Sequence, residues 1–302
     1  SKMVRIGSKD YSLEDLDKAH LGVVASIVET IRWGYVAATG TVPERIGTRD
    51  KCIVDVSVHR DFANALFGLR AGREDRRKPI HLFTTNYDTL IEDALAFNGI
   101  SYWDGFTGGA VAYRSHRFGQ DPASAECRAH VLKLHGSIDW HLEPDGRVLR
   151  VRDNDMYPGQ MHRALIYPQA TKYVATQRDP FASQFDLFRR AFSGASDNTL
   201  IVCGYSFGDD HINQEIELAM VRPGSRQTTL LAFCWEGTEL PDALEQWRRS
   251  DWGSRLYILT QKGIHCGAKG PLHPPVPGSE HRWWTFKGVT DLLRDGAVRS
   301  GA

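Results

Sequence analysis

Three short apolar runs, each ending in a polar loop, constrain the fold of this chain more than any other feature. Ile80 to Phe83 leads into Thr84-Thr85-Asn86-Tyr87-Asp88, after which Leu90, Ile91, Ala94 and Leu95 keep helical spacing up to a stop at Asn98-Gly99. Val131 to Leu134 leads into His135-Gly136-Ser137. Thr199 to Cys203 leads into Gly204-Tyr205-Ser206-Phe207-Gly208-Asp209-Asp210, with Ile212, Ile216 and Met220 on one helical face beyond it. Thr228 to Phe233 and Leu256 to Leu259 read as further strands. Apolar strands that alternate with helices suit a parallel sheet covered on both sides. The sequence therefore predicts an α/β, Rossmann-like, doubly wound fold with a mainly parallel sheet and helices on both faces. Ligands of such sheets bind beyond the carboxyl ends of the strands, so the three polar loops are expected to open toward one edge.

Outside these units the pattern is simpler. Ser12 with Asp15 reads as a helix start, followed by Leu13, Leu16, Val23, Ile27 and Ile31 at roughly helical spacing. Phe62, Leu66 and Leu69 predict a helix within 57–72, ahead of a basic stretch, Arg70 to Lys78, that reads as a solvated turn. Gly263 to Gly278 is rich in Pro and Gly and reads as irregular chain, with Trp283, Trp284 and Phe286 anchoring a last strand. No Gly/Ser-rich or charged linker divides the sequence. Residues 1–260 are expected to form one catalytic domain, with 261–302 as an extension packed on it.

Composition narrows the partners. Lys plus Arg and Asp plus Glu both number 37, so the overall attraction of a basic protein to nucleic acid or anionic membrane is missing. Cys52, Cys127, Cys203, Cys234 and Cys266 are odd in number and contain no CxxC pair, which argues against a disulfide framework and a zinc ribbon, and fits a reducing cytoplasm. The first residues lack a signal-peptide apolar stretch, and no apolar run is long enough to span a bilayer.

Two loops carry chemistry by their residue types alone. The polar side chains and free helix amides of residues 84–88 suit an uncharged polar or anionic ligand, although Asp88 is equally suited to capping the helix. His135 leaves an apolar strand beside a glycine that admits close backbone approach; a structural histidine is the plainer explanation of it taken by itself.

Together the segments Phe83-Thr84-Thr85-Asn86-Tyr87-Asp88, Leu134-His135-Gly136-Ser137-Ile138-Asp139-Trp140 and Gly204-Tyr205-Ser206-Phe207, with Tyr102-Trp103-Asp104-Gly105-Phe106 between the first two, occur in an order and at separations that resemble the bacterial branch of the sirtuin-like (silent information regulator) family. The resemblance covers roughly residues 58–235. It implies NAD+ as substrate and no metal. It also implies that Asn86 orients the nicotinamide riboside and a water, that Asp88 helps recognise the carboxamide, that Thr85 beside them binds the dinucleotide, and that His135 is the general base. Gly204, Tyr205, Ser206 and Asp209 are by the same resemblance the loop against the phosphates and adenosine ribose.

The chain departs from that family twice. Its members begin with a glycine-rich loop that cradles the pyrophosphate; nothing before Tyr87 resembles it, and the expectation is that this opening lies outside the sequence. Protein-deacylating sirtuins also carry a paired CxxC zinc module between the histidine and the Gly-Tyr-Ser loop, which this chain lacks. The second departure shifts the expected activity from deacylation to hydrolysis of NAD+, as in the sirtuin-like effectors of anti-phage defence. For those effectors the resemblance implies a homo-oligomer, and assembly with a HerA-type ATPase, an Argonaute or a fused sensor. Two other classes compete. Gly204-Tyr205-Ser206-Phe207-Gly208 fits G-x-S-x-G, so Ser206 with Asp251 and one of His265, His273 or His281 forms a candidate hydrolase triad. A non-catalytic module that senses NAD+ or ADP-ribose is the other, though binding alone does not need a general base.

Overall fold

The structure, a computed structural model, describes residues 3–68, 79–114, 127–152, 162–165, 181–192, 198–222 and 228–295. The basic stretch from Arg70 to Lys78 lies outside them. A hairpin, β1 (Met3–Ile6) and β2 (Lys9–Ser12), leads into α1 (Leu13–Trp33), then β3 (Tyr35–Val36), β4 (Arg45–Ile46) and α2 (Ser57–Gly68). The middle of the chain holds β5 (Ile80–Thr84), α3 (Leu90–Phe97), β6 (Tyr102–Trp103), β7 (Phe106–Gly108) and β8 (Val111–Arg114). Next come β9 (Ala129–Lys133), β10 (Gly136–Leu142), β11 (Val148–Val151), β12 (His162–Leu165) and α4 (Phe181–Ala191). The last part contains β13 (Asn198–Cys203), α5 (Asp210–Val221), β14 (Thr228–Phe233) and α6 (Asp242–Arg248). It closes with β15 (Leu256–Thr260), β16 (Gly263–Cys266), β17 (Lys269–Leu272) and α7 (Phe286–Asp295).

The fold is α/β, but its sheets are mixed and not mainly parallel. Parallel pairing joins β5 and β6 to β9, and β13 through β14 to β15. A third sheet, in the order β12-β10-β11-β8-β7, is antiparallel throughout. The cause lies at Gly136. With φ at +87° it lets the chain turn within two residues from β9 straight into β10. Ser137, Ile138, Asp139, Trp140 and His141 are all buried in that strand, so what reads in sequence as a polar loop is an interior strand with polar groups.

Local signals explain the rest. Ser12 begins α1 through a capping box, its Oγ accepting the Asp15 amide at 3.1 Å while the Asp15 carboxylate accepts the Ser12 amide at 3.1 Å. Val24 and Val28 of this helix bury against Ile138 of β10 and Tyr87. The largest core gathers Phe185 and Phe188 of α4, Ile212 and Ile216 of α5, and Leu230 and Ile258 of the parallel strands, around Leu134.

The C-terminal segment is more regular than its Pro and Gly content suggests. β16 and β17 extend the β13–β15 sheet in antiparallel fashion, and Gly263 at φ +141° is hemmed by the Leu272 carbonyl, where a side chain would clash. The last element is the helix α7 and not a strand; the Phe286 ring lies 4.9 Å from that of Phe62, so α7 packs on α2.

Candidate functional site

The first loop is tied to the second by backbone hydrogen bonds. Leu134 donates to the Thr84 carbonyl at 2.8 Å and Ile138 to the Tyr87 carbonyl at 2.9 Å. Thr84 Oγ1 accepts the Asn86 amide at 3.0 Å, a local turn that leaves Asn86 exposed at the end of β5, with Thr85 half-buried before it. Asp88 Oδ1 accepts the Leu90 amide at 3.0 Å in an Asx turn that leads into α3, whose N-cap is Thr89. Beneath the loop, Lys133 Nζ donates to the Asp88 carbonyl and lies 3.3 Å from Glu92 Oε1. The side chains of this pair are only 2% and 4% exposed, and burial pushes the Glu92 carboxyl above its ordinary range, against the opposing pull of Lys133.

His135 is buried at the turn between β9 and β10, and its Nε2 lies 3.2 Å from Nε2 of His211, the second residue of α5. This contact joins the second loop to the third. There Gly204 takes φ +67°, which favours glycine, and leaves β13 exposed. Tyr205 is committed to the loop itself: its hydroxyl donates to the Asp209 carbonyl at 3.0 Å and lies 3.0 Å from Asn213 Oδ1. Burial, followed by the charge of Asp209, raises the Tyr205 phenol above its ordinary value and keeps it a neutral donor. Ser206 is exposed, its Oγ accepting the Gly208 amide at 3.3 Å, and Asp209 stands half-buried at the start of α5.

These positions do not build the hydrolase triad. His265 holds Glu236 with Nε2 at 2.9 Å and faces Arg248 with Nδ1, while His281 Nε2 meets the His273 carbonyl at 2.9 Å. A nucleophile elbow places its serine on a strained turn. Here the positive φ, +58°, falls on Phe207 instead of Ser206.

A second charged group borders the first loop. Arg152 Nη1 bonds Asp93 at 3.0 Å and its Nε lies 3.2 Å from Asp139 Oδ2, close enough for an ion pair though not aligned as a hydrogen bond. Burial acts to lower the pKa of Arg152, but Asp139 and Asp93 outweigh it and hold the guanidinium charged. Arg152 lines a cavity of about 130 Å³ with Arg32, Asp88, Thr89, Asp93 and Asp139. That is below the roughly 300–1,000 Å³ of a typical ligand pocket. Of the expected site residues it touches Asp88 alone.

Sequence reasoning misses His211, Lys133 and Glu92. The signal for Lys133 is a lysine between Leu132 and Leu134; His211 has none beyond its place just after the Asp209-Asp210 pair. Among the described residues no group of three or more His, Cys, Asp or Glu side chains is placed to hold a metal ion, and no helix is long and apolar enough to cross a membrane.

No curated protein matches the chain. A family model described as a SIR2-like domain matches residues 80–257, a span that takes in all three loops and both histidines. The match covers more than half of the 302 residues, and the chain belongs to the SIR2-like family, among the NAD+-using enzymes of the sirtuin superfamily.

Proposed function

We propose that the protein is an NAD+ glycohydrolase that cleaves the nicotinamide–ribose bond to give nicotinamide and ADP-ribose. The observation that carries this reading is that the Leu134 and Ile138 amides join the Asn86 loop to the turn bearing His135, and that His135 meets His211, two residues beyond the Gly204–Asp209 loop. Nicotinamide leaves a positively charged ring as a neutral molecule, so the leaving group needs no acid. The protein has to hold the ribose in a reactive geometry and take a proton from the attacking water. Asn86, exposed at the strand end, is suited to the first task and His135 to the second. Asp88 lies toward the carboxamide in this reading, Thr85 beside it toward the dinucleotide, and Gly204, Tyr205, Ser206 and Asp209 toward the phosphates and ribose. The Asx turn of Asp88 is compatible with its role, since the turn uses Oδ1 alone.

Hydrolysis is favoured over deacylation because the chain between His135 and Gly204 contains a single cysteine, Cys203, where a cysteine zinc module needs four. Metal analysis of the purified protein is expected to find no cysteine-bound zinc; stoichiometric zinc with cysteine ligands would revive the deacylase. An NAD+-depleting effector of bacterial defence, working as a homo-oligomer with an ATPase, Argonaute or sensor partner, is the setting this activity fits.

The direct test is nicotinamide release from NAD+, with ADP-ribose in equal amount, by the protein alone and with the product of a neighbouring gene. Consumption of NAD+ only in the presence of an acylated lysine peptide would overturn the hydrolase. Ser206→Ala is expected to weaken NAD+ binding by about 0.5–3 kcal/mol, the worth of one hydrogen bond to a neutral or charged partner, and to leave turnover at saturation standing. Complete loss at saturating NAD+, with fluorophosphonate labelling of the wild type, would instead mark Ser206 as a nucleophile.

A further inference from the structure

We propose that His211 and His135 form one proton-sharing unit in which His211 fixes the protonation state of the base and carries its proton toward solvent. The inference rests on the reading of His135 as general base and adds a positioning residue to it. At 3.2 Å the two Nε2 atoms are within hydrogen-bond distance, so one must bear a proton and the other offer a lone pair. Two N–H groups would repel there, and two lone pairs would waste the contact. The ring centroids are 5.4 Å apart, and the Phe185 ring closes on His211 at 5.5 Å, which restricts rotation of that imidazole. His135 is buried while His211 is half-buried at the surface end of α5, so the pair leads from the interior outward.

Charged groups approach the pair from several elements. His211 stands in the first turn of α5, where the helix dipole opposes a cation. Asp209 and Asp210 at the same helix end work against the dipole, and Glu215 further along is occupied by Arg189 of α4 at 2.7 Å. From the strands, Lys133 is held by Glu92 and Asp139 by Arg152; from the first loop, Asp88 is engaged with the Leu90 amide. In the reaction an O–H bond of the attacking water breaks and its proton bonds to His135. The water oxygen bonds to the ribose C1′ as the C–N bond breaks and its electron pair leaves on nicotinamide; the water's proton enters at Nδ1 of His135, the Nε2 proton of His135 passes to Nε2 of His211, and the Nδ1 proton of His211 goes to solvent.

The test is an NMR titration of ¹⁵N-histidine protein, assigned with His135→Ala and His211→Ala, alongside single-turnover nicotinamide release. The two imidazoles are expected to titrate as a coupled pair, with apparent pKa values more than about one unit apart, and His211 alone as a single step once His135 is removed. His211→Ala should slow the chemical step by about 10- to 100-fold, a part of the full base effect, with KM nearly constant and the pH profile displaced. His211→Gln, which can hold His135 but cannot carry a proton, should restore the wild-type KM and pH midpoint only in part. Independent single-step titration of both histidines would overturn the pair, and so would wild-type rates and pH profile in His211→Ala. Coupled titration in a protein that releases no nicotinamide would support the pair and overturn the functional reading alone.

Discussion

His135→Ala and Asn86→Ala are each expected to remove NAD+ cleavage while the protein stays folded, and for different reasons. Loss of His135 deletes the proton acceptor of the attacking water, an effect of about 100- to 10,000-fold on the chemical step. Loss of Asn86 deletes positioning, so that ribose and water no longer dwell in the reactive geometry. Their structural costs also differ. Asn86 is exposed and Asn86→Ala should be close to neutral in stability. His135 is 5% exposed and bonded to His211, so His135→Ala should lose about 1 kcal/mol or somewhat more. That burial departs from what a strand-end loop residue suggests, and it makes His135→Gln the better companion variant. The activity left in the histidine variants should be flat between about pH 6 and 8, where a histidine base titrates in the wild type. Single-turnover nicotinamide release, with circular dichroism as the control for folding, decides the matter. Wild-type rates in either variant would make that residue structural, whereas tight NAD+ binding without nicotinamide release by the wild type would favour a sensing module over an enzyme.

What could be read from the sequence, and what could not, divides by the range of the interaction involved. The start of α1 was legible because a capping box is closed by residues three apart, Ser12 and Asp15. The strands β5, β9, β13, β14 and β15 were legible from their short apolar runs, though only β9 is buried along its whole length, and β13 is a sheet edge with Ile201 exposed. β10 was not, since Ser137, Asp139 and His141 are polar residues whose burial depends on partners elsewhere, such as Tyr87 for Ser137 and Arg152 for Asp139. Trp283, Trp284 and Phe286 suggest a strand by aromatic content, yet α7 buries Val289 and Thr290 along a helical face, with Phe286 against α2. The three motif loops were legible as types, and the hydrogen bonds from Leu134 and Ile138 bring the first two together. The partner of His135 was hidden by distance along the chain, 76 residues, and no local pattern reports a contact of that kind.

Lys133→Met is expected to produce the largest loss of stability of any single change near the loops, about 3–5 kcal/mol, because it strands the Glu92 carboxylate without its cation. Methionine fills much of the lysine volume, so cavity formation is a minor part of the effect. The sign of the pH dependence follows from Glu92. Burial places its folded pKa above the unfolded value, so its contribution is most favourable below the unfolded pKa and is lost as pH rises through the folded one. Lys133 opposes that rise, and removing it lifts the folded pKa further. The gap between variant and wild type should therefore be wider at about pH 8 than at about pH 5, because Glu92 takes up a proton as the pH falls. Glu92→Gln added to Lys133→Met should recover a large part of the loss, since an amide carries no charge to bury. The same lysine supports the carbonyl of Asp88, so the loop that presents Asn86 loses its floor, and nicotinamide release should drop in the variant even at temperatures where it is fully folded. Urea unfolding of the wild type and both variants at the two pH values measures the effect. A pH-independent difference under about 1 kcal/mol would mean that the ion pair contributes no more than an exposed one and that the loop is held by its backbone hydrogen bonds alone.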